Sequence, residues 1–212
     1  MPSWMLATLC RVRTKTLTLV VAMALVAGLS SASAAPERRP RVTIICDSVA
    51  ASILYTAQAQ RYLQHRYDLK LDLAVCRRLV AASCAYQGHT PTTALEAIRE
   101  RQGHLGRTVA IDVGYSDAAS TYKSGLDRVM RALVSEGVRT VVWTTFKETS
   151  TSYTLMNGVI RHAKRRWKQL RVADWNAWSA GRPWFAGDGL HLNGAGAIGL
   201  AHLLARSIGS GR

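Results

Sequence analysis

The fold is decided first by the stretch VTIICDS at residues 42–48, an apolar run of strand length that ends in an acid and an alcohol. A pattern typical of an amphipathic helix follows it, from about Ala50 to Gln64. This order of apolar run and amphipathic stretch repeats along the chain. The further predicted strands are Leu69 to Val75, Thr108 to Val113, Thr140 to Thr144 and Leu170 to Asp174, and the further predicted helices are Thr92 to Gln102, Tyr122 to Glu136, Tyr153 to Trp167 and Ala195 to Ser207.

Five strands that alternate with five helices predict an α/β fold built on a parallel sheet. Parallel neighbours need crossover connections, and the crossover helices cover both faces of the sheet. We therefore expect a flavodoxin-like three-layer sandwich, with a five-stranded parallel sheet between two helical layers. In such sheets, ligands bind beyond the carboxyl ends of the strands.

The first 34 residues have the three parts of a secretory signal peptide. Basic residues between Arg11 and Lys15 precede an apolar segment at Leu17 to Leu29, and small residues at 32–34 form a cleavage site. An uncleaved membrane anchor is the alternative, but the apolar segment is shorter than the roughly 20 residues that span a bilayer. We expect a secreted, extracytoplasmic protein with no stable membrane span, an exposed lead-in at 35–41 and one domain at 42–212.

The formal net charge of +15 suits nucleic acid, anionic polymers or acidic lipid surfaces. The basic residues are spread through the predicted helices, and no zinc-ligand array, RNP-like strand or helix-turn-helix signal accompanies them. We therefore expect no nucleic-acid partner. An anionic envelope polymer remains a candidate partner, and we expect a monomer.

Three cysteines follow the leader, an odd number for a chain that should meet an oxidising compartment. Cys76 and Cys84 enclose a short loop and are the preferred disulfide. Cys46 with Cys76 is the alternative, if these residues end neighbouring strands. Neither pair has the Cys-x-x-Cys spacing typical of redox or metal sites.

A serine, a histidine and a carboxylate follow the first and last predicted strands. A serine hydroxyl is a poor nucleophile at neutral pH, so it needs a base within hydrogen-bond reach and a third group that orients the base. His191 is the best available base for Ser48, and Asp188, three residues earlier, can bond the far ring nitrogen. We expect these three residues to form one catalytic site at the carboxyl edge of the sheet.

The block Cys46-Asp47-Ser48-Val49 resembles the Gly-Asp-Ser block that opens the SGNH (GDSL-like) hydrolases, and residues 188–193, DGLHLN, are similar to that superfamily's Asp-x-x-His block. The resemblance extends from Arg41 to about Ile208. It implies serine ester hydrolysis without a metal or cofactor. It also implies an oxyanion hole built from the serine N–H, a glycine N–H after the second strand and an asparagine side chain after the third.

Two of those three oxyanion groups are altered in this chain. The glycine position falls at Cys76 or a neighbour, and the Gly-x-Asn-Asp block reads Gly114-Tyr115-Ser116-Asp117. Ser116 therefore stands where the asparagine would be, and we expect Gly114 and Ser116 to belong to the oxyanion or binding group. The loss of one oxyanion donor typically costs about 3–4 kcal/mol, so these departures point to weak activity.

Other residues at this edge have two interpretations each. Arg77 or Arg78 either binds an anionic substrate group or the oxyanion, or pairs with Asp72 or Asp117. Trp184 and Phe185 adjoin the Asp-Gly turn and are interpreted as pocket residues, whereas core packing is the default for most aromatic side chains.

We interpret the chain as an esterase for a small ester or an acylated carbohydrate, with an O-acetyl carbohydrate as the favoured substrate. Three alternatives stay open. The same site would suit a carbohydrate O-acyltransferase, the same fold would suit a non-catalytic glycan- or envelope-binding module, and the charge would suit a basic surface protein for anionic polymers.

Overall fold

The computed structural model describes residues 38–210. The signal peptide predicted at 1–34 lies outside the described residues. The strands are β1 Arg41–Cys46, β2 Asp68–Leu73, β3 Thr108–Asp112, β4 Thr140–Thr144 and β5 Leu170–Ala173. The helices are α1 Ser52–Tyr55, α2 Ala57–Gln64, α3 Ala94–Glu100, α4 Ala119–Ser135, α5 Thr151–Ala163, α6 Trp175–Trp178 and α7 Gly194–Gly209.

The five strands form one parallel sheet in the order β2-β1-β3-β4-β5. Strand β2 therefore pairs with one edge of β1, and β3 pairs with the opposite edge of β1. The register places Cys46 opposite Leu73 of β2 and Asp112 of β3. Strand order therefore reverses at β1, and a crevice beyond the tips of β1 and β3 is where this architecture binds ligands.

Helices cover both faces of the sheet, which confirms the predicted three-layer fold. Helices α3, α4 and α5 pack on one face, and α1, α2 and α7 pack on the other. Successive side chains of β1 point to opposite faces of the sheet, so this strand contributes to the hydrophobic core on each face. Ile45 faces the α4 side, while Ile44 and Cys46 face the α7 side. Apolar residues of α4 recur at helical spacing, so one stripe of that helix is buried.

Most predicted elements are present with ends shifted by at most four residues, and two departures are larger. The helix predicted from Ala50 to Gln64 is two helices, because Thr56 has an extended backbone (φ −113°, ψ 92°) that ends α1. The short helix α6 lies inside a segment predicted to be irregular, and the Asp174 side chain caps it by accepting the N–H of Ala177 (3.2 Å).

Cys76 and Cys84 form a disulfide with a Cα–Cα distance of 5.3 Å, which confirms the preferred pairing. Cys46 is buried in the sheet as a free thiol, so the alternative pairing of Cys46 with Cys76 is wrong. Over residues 38–210, no helix combines the length and apolar character needed to cross a membrane.

Candidate active site

Ser48, His191 and Asp188 meet at the carboxyl edge of the sheet. The Nε2 atom of His191 lies 3.1 Å from the Ser48 Oγ, and the Nδ1 atom lies 2.6 Å from the Asp188 Oδ2. Ser48 follows β1 by two residues and is half-buried, whereas His191 precedes α7. The contact joins residues 143 positions apart, so the fold creates this arrangement.

A tight turn fixes the carboxylate relative to the imidazole. The Oδ1 atom of Asp188 accepts the N–H groups of Leu190 and His191, both at 2.9 Å, and Gly189 supplies the positive φ of 68° that the turn requires. The bond from His191 and these N–H bonds lower the pKa of Asp188 to about 2. An ionised carboxylate at Nδ1 favours the tautomer in which Nδ1 carries the proton and Nε2 accepts from serine.

The loop that carries this pair is fastened to the start of α7. Asn193 caps α7 by accepting the N–H of Gly196 (3.0 Å), and its amide donates to the Pro183 carbonyl (2.9 Å). The Asn193 backbone N–H donates to the Trp184 carbonyl at 3.1 Å. The asparagine just before the last helix was the sequence signal for this cap, although the sequence reasoning gave Asn193 no role.

The buried carboxylate of Asp47 ties the β1 turn to the loop after β3. Asp47 is 1 % exposed and accepts the N–H groups of Val49 (3.0 Å), Gly114 (3.1 Å) and Tyr115 (3.2 Å). Its own N–H donates to the Asp112 carbonyl at 2.9 Å, which extends the β1–β3 pairing by one residue. Burial raises the pKa of Asp47 to about 6. Asp47 lies in the motif that contains Ser48, but the motif did not predict that its buried carboxylate holds this turn against the loop after β3.

Three polar groups at this edge have no hydrogen-bond partner in the part of the chain that the structure describes. They are the N–H groups of Ser48 and Cys76 and the hydroxyl of Ser116. Cys76 has a left-handed backbone with φ of 65°, a conformation that glycine adopts most readily. Cys76 thus combines a glycine-like backbone with a free N–H.

Gly114 is a structural residue, which corrects the expectation that it belongs to the oxyanion or binding group. Its N–H is already donated to Asp47. Its φ is 146°, and a Cβ there would lie 2.5 Å from the Phe146 ring and 2.6 Å from the Tyr122 ring. Only glycine fits, because any side chain would collide with two buried aromatic rings.

Arg77 is also structural, which corrects its placement among the substrate-binding candidates. It is 3 % exposed, and its guanidinium donates to the Asp72 side chain (2.9 Å), the Asp72 carbonyl (2.9 Å) and the Thr92 carbonyl (3.1 Å). The alternative of pairing with Asp72 is confirmed. Those bonds leave Arg77 occupied inside the protein instead of free for a substrate anion.

Trp184 packs against α7 at the edge of the loop that carries Asp188 and His191, which we call the catalytic loop in view of the candidate site. Its ring stacks on Trp175 at a centroid distance of 5.7 Å and lies against Gly199, where a Cβ would come within 2.7 Å of it.

No group of three or more His, Cys, Asp or Glu side chains within residues 38–210 is arranged to hold a metal ion.

No protein-family model matches the chain, and no curated protein matches it in sequence. Solved structures match its fold. A protein described as an arylesterase from Agrobacterium tumefaciens has a TM-score of 0.63 at 13% identity, covering 80% of this chain and 98% of its own. A carbohydrate acetylesterase family member from Sinorhizobium meliloti has a TM-score of 0.60 at 12% identity (80% and 97%). The periplasmic domain of a lipopolysaccharide acetyltransferase from Salmonella ser. Paratyphi A has a TM-score of 0.52 at 11% identity (80% and 84%). The chain therefore has the fold of the SGNH hydrolases that its motifs resemble.

Proposed function

We propose that the protein is a serine esterase that hydrolyses a carboxylic ester through an acyl-serine intermediate. The observation that carries this proposal is the continuous hydrogen-bonded series from Ser48 to His191 to Asp188, with heavy-atom distances of 3.1 and 2.6 Å. Both distances are within the range in which a base activates a serine hydroxyl.

In the proposed mechanism, the Ser48 Oγ attacks the ester carbonyl while the His191 Nε2 takes its proton. Asp188 stabilises the imidazolium that forms. His191 then returns the proton to the departing alcohol, the C–O bond of the ester breaks, and the acyl group stays on Ser48. Water attacks the acyl-serine while His191 takes its proton; the bond between the acyl carbon and the Ser48 Oγ then breaks, His191 returns the proton to that oxygen, and the acid leaves.

The negative charge on the tetrahedral intermediate would be met by the free N–H groups of Ser48 and Cys76. The Ser116 hydroxyl is the third donor, in place of the longer asparagine side chain of the family pattern. One weakened oxyanion donor reduces the rate by about a hundredfold to a thousandfold, so slow turnover follows from this substitution.

An acetyl ester on a carbohydrate is the proposed substrate, and an extracytoplasmic location is the proposed setting. The Cys76–Cys84 disulfide supports that location, because disulfides persist in oxidising compartments. The fold shared with a carbohydrate acetylesterase family member supports the substrate class.

Hydrolysis is favoured over acyl transfer to a sugar by the openness of the catalytic pair. The side chains of His191 and Asp188 are 45% and 50% exposed, so bulk water reaches the imidazole that would deprotonate it. A transferase must keep water away from its reactive intermediate. Product analysis with an acceptor sugar present separates the two activities.

The test is turnover of 4-nitrophenyl acetate by the parent and by Ser48→Ala. We expect the variant to lose all enzymatic turnover and all labelling by a fluorophosphonate probe. Ser52→Ala is the matched control, because its hydroxyl contacts only the Val49 carbonyl at 3.5 Å, and it should retain the parent rate. Equal rates for the parent and Ser48→Ala would refute the proposed mechanism.

A further inference from the structure

A groove beside the catalytic loop, which we call the α6–α7 groove, has no part in the proposed chemistry. It has a volume of about 410 Å³ and is lined by Trp178, Arg182, Trp184, Ile198 and His202 together with small residues of α7. Trp184 is four residues before Asp188 in the chain. The groove and the Ser48 relay are therefore built from the same loop.

The two tryptophans of the groove are held in fixed positions. The indole N–H of Trp178 donates to the Gly199 carbonyl at 3.1 Å. Trp184 is seated on Gly199 and stacked on the buried Trp175. Rigid aromatic walls lose little conformational entropy when they bind a ligand.

Each tryptophan of the groove carries an arginine over its ring. The guanidinium carbon of Arg182 lies 5.0 Å from the Trp184 ring centre, and that of Arg206 lies 5.8 Å from the Trp178 ring centre. Neither guanidinium forms an ion pair or hydrogen bond with another described residue. A guanidinium placed over an indole keeps its N–H edge available for a carboxylate, and that pairing is geometrically selective.

We propose that the α6–α7 groove binds an anionic polysaccharide, whose carboxylates pair with the guanidinium groups of Arg182 and Arg206 while its sugar rings lie between the two arginines. Charge complementarity supports this occupant, because Arg182 and His202 line the groove, Arg206 lies beside it over Trp178, and no acidic residue lines it. The proposal rests on the proposed function only in naming this polymer as the one that carries the ester.

The test is calorimetric titration of the full chain with polygalacturonate in 150 mM NaCl, with neutral dextran as the comparison polymer. We expect the parent to bind polygalacturonate and not dextran. The double variant Arg182→Gln/Arg206→Gln should bind at least tenfold more weakly. The matched control Arg128→Gln/Arg131→Gln removes the same charge from α4, on the other face of the sheet, and should bind within twofold of the parent.

Four results would overturn the proposal: no preference for polygalacturonate over dextran, an equal loss in both double variants, equally tight binding of phosphatidylglycerol vesicles or single-stranded DNA, or a concentration-dependent dimer that the Arg182→Gln/Arg206→Gln change abolishes. Hydrolysis of 4-nitrophenyl acetate is measured on the same samples. Polygalacturonate carries no ester, so a failure of binding with hydrolysis intact is distinct from a failure of the proposed function.

Discussion

Gly196 in the first turn of α7 is expected to control the position of the catalytic loop. A Cβ at this residue would lie 2.1 Å from the Trp184 carbonyl oxygen. Relief of that contact requires a movement of more than about 1 Å, since non-bonded carbon and oxygen atoms approach to little less than about 3.2 Å. The same carbonyl accepts the N–H of Asn193 at 3.1 Å, so the movement also strains the bond that fastens the loop.

Gly196→Ala should therefore lower activity more than stability. Overpacking costs about 1–3 kcal/mol, and the higher helix propensity of alanine returns about 0.5–1 kcal/mol, so the net loss of stability should lie between about 0 and 2.5 kcal/mol. A displacement of about 1 Å at His191 would lengthen its 3.1 Å contact with Ser48 and reduce kcat about a hundredfold. The assays are kcat for 4-nitrophenyl acetate and urea unfolding.

Gly194→Ala is the matched control in the same helix. A Cβ at Gly194 meets no atom within 4 Å, so this variant should keep kcat within twofold and the parent's stability or slightly more. If Gly196→Ala turned over the ester at the parent rate while folded, the idea that Trp184 positions the catalytic loop through this contact would be refuted.

Three further predictions concern the hydroxyl of Ser116 and the carboxylate of Asp188. Ser116→Asn restores the longer amide of the family pattern and should raise kcat for 4-nitrophenyl acetate about tenfold to a hundredfold with little change in KM; an unchanged or lower kcat would show that residue 116 does not face the oxyanion. Asp188→Asn should reduce kcat about a thousandfold or more, because the imidazole loses the group that fixes its tautomer. The pKa of Asp188 is lowered to about 2, so its ionised form adds stability that is present above about pH 4 and is lost as the pH falls towards 2. Urea unfolding should show the difference in stability between the parent and Asp188→Asn shrinking over that interval, and a difference that stays constant from pH 4 to pH 2 would contradict the lowered pKa of Asp188.

The sheet could be predicted closely because its strands are buried apolar runs. β4 has the predicted bounds, and β5 ends within one residue of them. The break at Thr56 could not be predicted, because the apolar pattern of Ala59 and Leu63 continues past it. The break is visible only in the backbone of Thr56, which tertiary packing can impose against a local helical pattern.

The contact between Ser48 and His191 could be predicted from the rule that places strand ends at one edge, since this rule brings the two residues together without any knowledge of side-chain contacts. The same rule could not predict whether Arg77 and Gly114 face a ligand or the protein interior. Their sequence positions are at the same edge, but Arg77 turns inward to Asp72 and Gly114 donates its N–H to Asp47. The position of a residue after a strand predicts its place at the sheet edge. It does not predict which hydrogen-bond partner its side chain or N–H group will have.

Cys76 shows how a residue other than glycine is held in a left-handed backbone conformation beside the candidate site. A non-glycine residue in the left-handed region costs roughly 1–2 kcal/mol, and the φ of 65° places Cys76 there. The disulfide to Cys84 restricts the unfolded chain and stabilises the fold by about 2–3 kcal/mol, which offsets that cost. Asp117 supports the same loop by accepting the N–H of Leu79 at 3.0 Å. The disulfide therefore supports a left-handed backbone at Cys76 that glycine would adopt more readily, whereas nothing comparable replaces a longer amide at Ser116, so the slow turnover that we propose should come from Ser116.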